Sequence, residues 1–224
     1  MAFENFVPIG PNNPVNGTAT IHVSTANARA LGINFNPPTG QSDSTISLQL
    51  SLMNLSRTGT QDSTKYDLKA VVSHEIDEAL GFGSSLNNLA NGAPSPTGAI
   101  GVSDLYRYSA NGVRSLSTDV NANAYLSVDG GLTKLVNFNQ TAGGDFSDYN
   151  SVAGSPHVQD AYSTPGAQAD LGNAELTTLR DIGYNSNISA APEAPQLTGI
   201  SLVLAALTFG LWRGRKQRSA SLAK

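Results

Sequence analysis

The chain has 224 residues, room for one domain of ordinary size or for one domain and a tail. Only 13% of residues are charged and the net charge is −4, which excludes a long-range basic field for nucleic acid. There is no cysteine, so disulfides, thiolate metal sites and a thiol nucleophile are excluded as well.

The first ten residues (MAFENFVPIG) carry neither a basic stretch nor an apolar run and do not read as a signal peptide. Residues 1–64 read as loops with short strands at 18–23 and 45–52, where apolar and β-branched residues recur. Asp62, Ser63 or Thr64 can cap a helix. The periodicity predicts that helix over 65–81, because Leu68, Val71, Val72, Ile76, Ala79 and Leu80 follow i, i+3, i+4 spacing. Gly81 and Gly83 offer its C-terminal stop. No earlier helix is predicted. Residues 84–101 read as a loop, followed by strand-like pieces at 105–109, 124–128 and 133–138. Asp129-Gly130-Gly131 reads as a hairpin turn between the last two. Residues 143–166 are loop again, and a short helix over 175–183 closes the domain.

After Tyr184 the composition shifts to Asn, Ser, Ala and Pro, the mark of a linker. Residues 185–196 carry the motif PEAP at 192–195, residues 197–212 are uncharged and mostly apolar, and 213–224 begin with the basic run RGRKQR. A helix over 197–212 spans about 24 Å, shorter than a ~30 Å hydrocarbon core. It crosses a membrane if the bilayer thins and the arginines snorkel. The basic end would then face the cytoplasm and place the rest of the chain outside it.

The chemistry sits on the central helix, in the run HEIDEALG. His74 and Glu78 are one helical turn apart, so an imidazole and a carboxylate leave the same face and can chelate one divalent cation. Glu75 lies about 100° around the helix, within reach of a water at that cation. This is the working geometry of a HExxH helix, in which the Glu acts as general base, with Glu78 in place of the second His. Zinc accepts carboxylate oxygen, and a harder ligand also admits other divalent ions.

The stretch 53–85 resembles a bacterial family of zincin metalloproteases with PEP-CTERM tails, in which a HEIDEVLG-like helix stands where metzincins carry HExxHxxGxxH. The likeness continues through SDLYRYS at 103–109, YLSVDGG at 125–131, VQDAY at 158–162 and LTTLRDIGY at 176–184. It implies an α+β, zincin/metzincin-like fold over residues 1–184, a twisted sheet with a central active-site helix, incomplete at its N-terminus. A C-terminal single apolar helix follows. It further implies His74 and Glu78 as ligands of Zn2+, Glu75 as catalytic base, and Gly81 as the turn after the helix. Ser84 stands where the family pattern places its third ligand. Asp104 is the preferred replacement, with His157 and His22 as further candidates. Tyr106 falls at the turn under the metal, and Tyr108 matches a tyrosine able to stabilise an oxyanion.

The PEAP motif, apolar segment and basic end resemble the PEP-CTERM sorting signal, which implies export, recognition by an exosortase and a membrane attachment at the C-terminus. The expectation is thus an extracellular or surface-displayed endopeptidase acting on a protein or peptide substrate. Two alternatives stand beside it. One is a non-catalytic surface or matrix protein on a decayed zincin scaffold. The other is an adhesion module dependent on Ca2+, with Asp129, Asp145 and Asp148 in Gly-rich loops offering hard oxygen ligands.

Overall fold

Asp67 sets where the central helix begins. Its backbone is extended, its carboxylate accepts the Ala70 N–H at 3.1 Å, and it pairs with the Arg57 guanidinium. The helix, α2, therefore spans Leu68–Leu80 rather than starting near residue 65. The predicted caps turn on themselves instead: Asp62 Oδ1 accepts the Thr64 N–H at 2.9 Å. The helix ends where the sequence expects. Gly81 adopts φ 126°, and a Cβ there would lie 3.3 Å from the Asn27 Cβ, so both the turn and the close approach need glycine.

The computed structural model describes residues 21–86, 100–152 and 154–184. Three small sheets and three α-helices give a mixed α/β architecture among the described residues. Strand β1 (Ile21–His22) runs parallel to β4 (Ile100–Gly101), with Ile21 opposite Ile100. Strand β2 (Met53–Asn54) runs parallel to β3 (Tyr66–Asp67), and α2 follows directly on β3. The largest sheet is antiparallel, in the order β6 (Val113–Arg114), β5 (Arg107–Ala110), β7 (Tyr125–Leu126), β8 (Val136–Asn137). Helix α3 (Asn173–Asp181) closes the chain segment, starting two residues before the predicted boundary.

The core joins the end of α2 to the antiparallel sheet and α3. Phe82, Ala124, Leu126, Phe138, Tyr149, Leu179 and Ile182 form it, all buried. Phe138 and Tyr149 meet edge to face at 6.1 Å between ring centroids. Tyr149 also bridges two loop segments, pairing with Phe138 on one side and Asp160 on the other. Within the stretch 143–166, read from sequence as loop, Tyr149 and Asp160 are thereby tied to the core.

Three sequence expectations change. A short helix, α1 (Thr25–Ala30), precedes α2, capped by Ser24 Oγ on the Asn27 N–H at 3.2 Å. Residues 45–52 form no strand: they end in a single 3-10 turn (Leu50–Leu52), and Leu50 and Leu52 are exposed. On α2 the fully inward residue is Asp77, while Ile76, expected on the apolar face, is 43% exposed. The linker, apolar segment and basic tail over 185–224 lie outside the described residues, as do 18–20 of the first predicted strand. Among the described residues no helix is long and apolar enough to cross a membrane.

Candidate metal centre

Helical spacing brings His74 and Glu78 together: His74 Nε2 lies 3.4 Å from Glu78 Oε1. A third group arrives from the loop after β8. Asp148 Oδ2 lies 3.9 Å from the same nitrogen, and all three ligand atoms fall within 4.8 Å of one another. Two ligand atoms bound to one tetrahedral zinc at ~2.1 Å stand about 3.4 Å apart. The His74–Glu78 pair already has that spacing, and Asp148 is close to it. The set is one imidazole nitrogen and two carboxylate oxygens, a donor set suited to zinc and other divalent cations.

The imidazole is held from behind. Its Nδ1 lies 2.9 Å from the Val158 carbonyl oxygen, which can only accept, so Nδ1 carries the proton and Nε2 is the nitrogen aimed at the carboxylates. Asp148 is held likewise: Gln159 Nε2 donates to its Oδ1 at 2.8 Å, leaving Oδ2 toward His74. Both supporting residues are buried.

The electrostatics describe a site that takes up protons when no cation is bound. Burial works against a charged His74, but the Glu78 hydrogen bond, the Asp148 carboxylate and the Val158 carbonyl outweigh it and raise its pKa to about 9. Burial pushes the Asp148 carboxyl up to about 7, against the opposing pull of His74 and Gln159. Asp77, 2% exposed, is also pushed up to about 7, by burial and by the Glu175 carboxylate, with His74 opposing. One of its oxygens, Oδ2, has no hydrogen-bond partner among the described residues.

Glu75 follows His74 on α2. It is half-buried, and no hydrogen bond or ion pair among the described residues engages its carboxylate. The position therefore leaves an uncommitted carboxylate on the residue next to His74 in the chain.

Asp104 is not brought to this centre. It is fully buried, with Oδ1 accepting the Ser84 hydroxyl at 2.5 Å and Oδ2 accepting the Gly101 N–H at 2.8 Å and the Ser85 N–H at 3.1 Å. Both oxygens are consumed in tying the chain after α2 to β4, so the carboxylate is structural. Ser84, at the expected third-ligand position, is its partner rather than a ligand. Tyr108 is 2% exposed within β5, its ring packed at Gly131 with the Arg114 guanidinium 5.0 Å above its centroid. That is a packing position. Tyr106 donates to the Asp181 carbonyl at 2.8 Å and anchors α3. His157 Nδ1 lies 3.3 Å from Asp160 Oδ1, and its ring meets Tyr149 edge to face. His22 is exposed at β1.

Of the proposed calcium residues, Asp129 stands apart, while Asp145 lies near enough to Asp148 for its charge to add to burial in raising that pKa. Asp129 Oδ1 accepts from Ser127 Oγ at 2.7 Å and from the Thr133 N–H at 2.8 Å, closing the turn after β7, whereas Asp148 belongs to the His74 centre. The sequence pattern missed Asp148 as a partner of His74, and missed Val158, Gln159 and Glu175 as its supports. Comparison with family models, with curated proteins and with solved structures finds no match to this chain.

Proposed function

We propose that the chain is an exported, zinc-dependent endopeptidase with a zincin-like active-site helix. His74, Glu78 and Asp148 would hold the cation, and Glu75 would act as general base. The observation that carries this reading is the convergence of three ligand atoms within 4.8 Å, with the His74 ring fixed by Val158. Zinc, when bound, supplies a Lewis acid for the scissile carbonyl and lowers the pKa of water.

The chain's own residues account for the rest. Glu78 and Asp148 partly neutralise the cation and fix its position at the C-terminal half of α2. Glu75 takes a proton on its carboxylate from the attacking water and returns it to the departing amine nitrogen, a role that needs a carboxylate not committed elsewhere. A protein or peptide substrate, delivery by exosortase-type sorting and attachment through 197–212 belong to the same proposal and rest on the sequence motifs alone.

The experiment is hydrolysis of a broad peptide library by the zinc-loaded full chain beside Glu75→Gln. The reading expects Glu75→Gln to keep its zinc and lose about 100-fold or more in rate. Equal rates for the two proteins, or no cleavage by wild type, would overturn it. Zinc binding without any turnover is the result that favours the non-catalytic surface protein.

A further inference from the structure

Glu175 does more than start α3. It is fully buried, and its Oε2 accepts the Gly172 N–H at 3.0 Å in the first turn of the helix. Its other oxygen leaves the helix. Oε1 accepts the Val158 N–H at 3.1 Å and, more weakly, the Gln159 N–H at 3.5 Å.

Those two residues are the supports of the candidate metal centre. Val158 offers its carbonyl to His74 Nδ1 at 2.9 Å, and the Gln159 side chain donates to Asp148 Oδ1 at 2.8 Å. The Val158 carbonyl and the Gln159 N–H belong to one peptide unit. An acceptor at its N–H end therefore fixes the plane in which its oxygen meets the imidazole. One carboxylate on α3 thus grips the two-residue segment that orients two of the three ligand side chains. Groups that orient ligands in this way typically govern affinity by 10–100-fold.

We propose that Glu175 is a positioning residue for the metal centre, acting on His74 and Asp148 through the Val158–Gln159 backbone. This rests on the reading of His74, Glu78 and Asp148 as a zinc site. In the absence of Glu175 the segment loses its anchor, the His74 ring and the Asp148 carboxylate lose their fixed directions, and zinc binds more weakly while α2 itself is unchanged.

The test is zinc titration of the full chain, followed by calorimetry, for wild type, His74→Ala, Glu175→Ala, Glu175→Gln and Arg180→Gly. Thermal melts and the His74 imidazole 15N and Nδ1–H NMR signals of the zinc-free proteins accompany it. Glu175→Gln keeps the shape and one acceptor, so it guards against a variant that fails to fold. Arg180 is exposed at the far end of α3, and glycine there weakens the helix without touching Val158. The expected result is a Kd raised about 10-fold in Glu175→Gln and up to about 100-fold in Glu175→Ala. The Nδ1–H signal should be lost or broadened in Glu175→Ala. Arg180→Gly should lower the melting temperature and leave both the Kd and that signal in place. If wild type takes up no zinc, or takes it up only as well as His74→Ala does, the metal reading fails and this proposal with it. If wild type binds and the folded Glu175 variants bind within about twofold of it, the proposal alone is overturned. Binding weakened as much by Arg180→Gly as by Glu175→Gln would overturn it too.

Discussion

Two buried aspartates, Asp104 and Asp148, make the useful comparison in this molecule. Each sits in a segment that returns toward the central helix, and each is under 5% exposed. Asp104 is surrounded by donors that belong to the scaffold: a serine hydroxyl and two backbone N–H groups occupy both of its oxygens. Asp148 has one oxygen held by Gln159, and the other faces the His74 imidazole and, across it, Glu78. A carboxylate whose donors are all supplied by the scaffold is a staple. One placed against an imidazole and a second carboxylate is stable as an ionised pair of acids only when a proton or a cation sits among them. Burial raises the pKa of both aspartates. The difference in chemistry therefore lies in which donors surround each carboxylate, and burial alone does not reveal it.

That contrast can be broken first at the imidazole. His74→Ala removes the nitrogen ligand and should abolish stoichiometric zinc uptake, a loss of more than about 100-fold in affinity, read by elemental analysis of the purified protein. The next largest effect is that of pH. Without a cation, His74 titrates near 9 instead of 6.5, so its contribution to stability is complete below 6.5 and is lost as pH rises through about 9. Asp148, raised from 3.8 to about 7, acts in the same direction over the lower window, losing its contribution as pH rises through about 7. A cation displaces those protons, so zinc affinity should rise with pH, by up to about 10-fold per unit between 7 and 9. Thermal shift with and without zinc at pH 6.5, 7.5 and 8.5 checks it: the stabilisation by zinc should widen at each step.

On the other side of the comparison, Asp104→Ala leaves the Ser85 and Gly101 N–H groups buried without an acceptor. It should cost about 2–4 kcal/mol in urea unfolding. The smallest effect is expected at Gly81→Ala, where φ 126° and the contact with Asn27 make any side chain unfavourable. A loss of about 1–3 kcal/mol, with zinc binding unchanged in the folded fraction, would place Gly81 with the scaffold and not with the centre.

The α2 half of the site is legible in the sequence and the other half is hidden, for physical reasons. Helical periodicity is local, so the spacing of His74, Glu75 and Glu78 can be read directly, as can the glycine that ends the helix. Asp148 lies far along the chain in a Ser-, Asp- and Asn-rich loop with no periodicity. Its approach to His74 depends on the Tyr149 bridges to Phe138 and Asp160, which are long-range pairings. Asp104 is attractive from sequence because it follows the helix closely, but the surrounding chain carries enough N–H groups to satisfy it internally. Helix α1 is hard to see because six residues hold too few turns for an apolar stripe, although Ser24 before an Ala-containing run is a cap signal. Residues 45–52 have the alternation of a strand but, among the described residues, pair with no neighbouring strand, and pairing decides.

The central claim is that Asp148, not Asp104, completes the metal centre with His74 and Glu78. Calorimetric zinc titration of the full chain, wild type against Asp148→Asn and Asp104→Asn, tests it most directly. The account predicts one equivalent bound by wild type and by folded Asp104→Asn with Kd values within about threefold. Asp148→Asn should bind at least 10-fold more weakly. The opposite ranking, with Asp148→Asn binding like wild type and Asp104→Asn not binding, would contradict it.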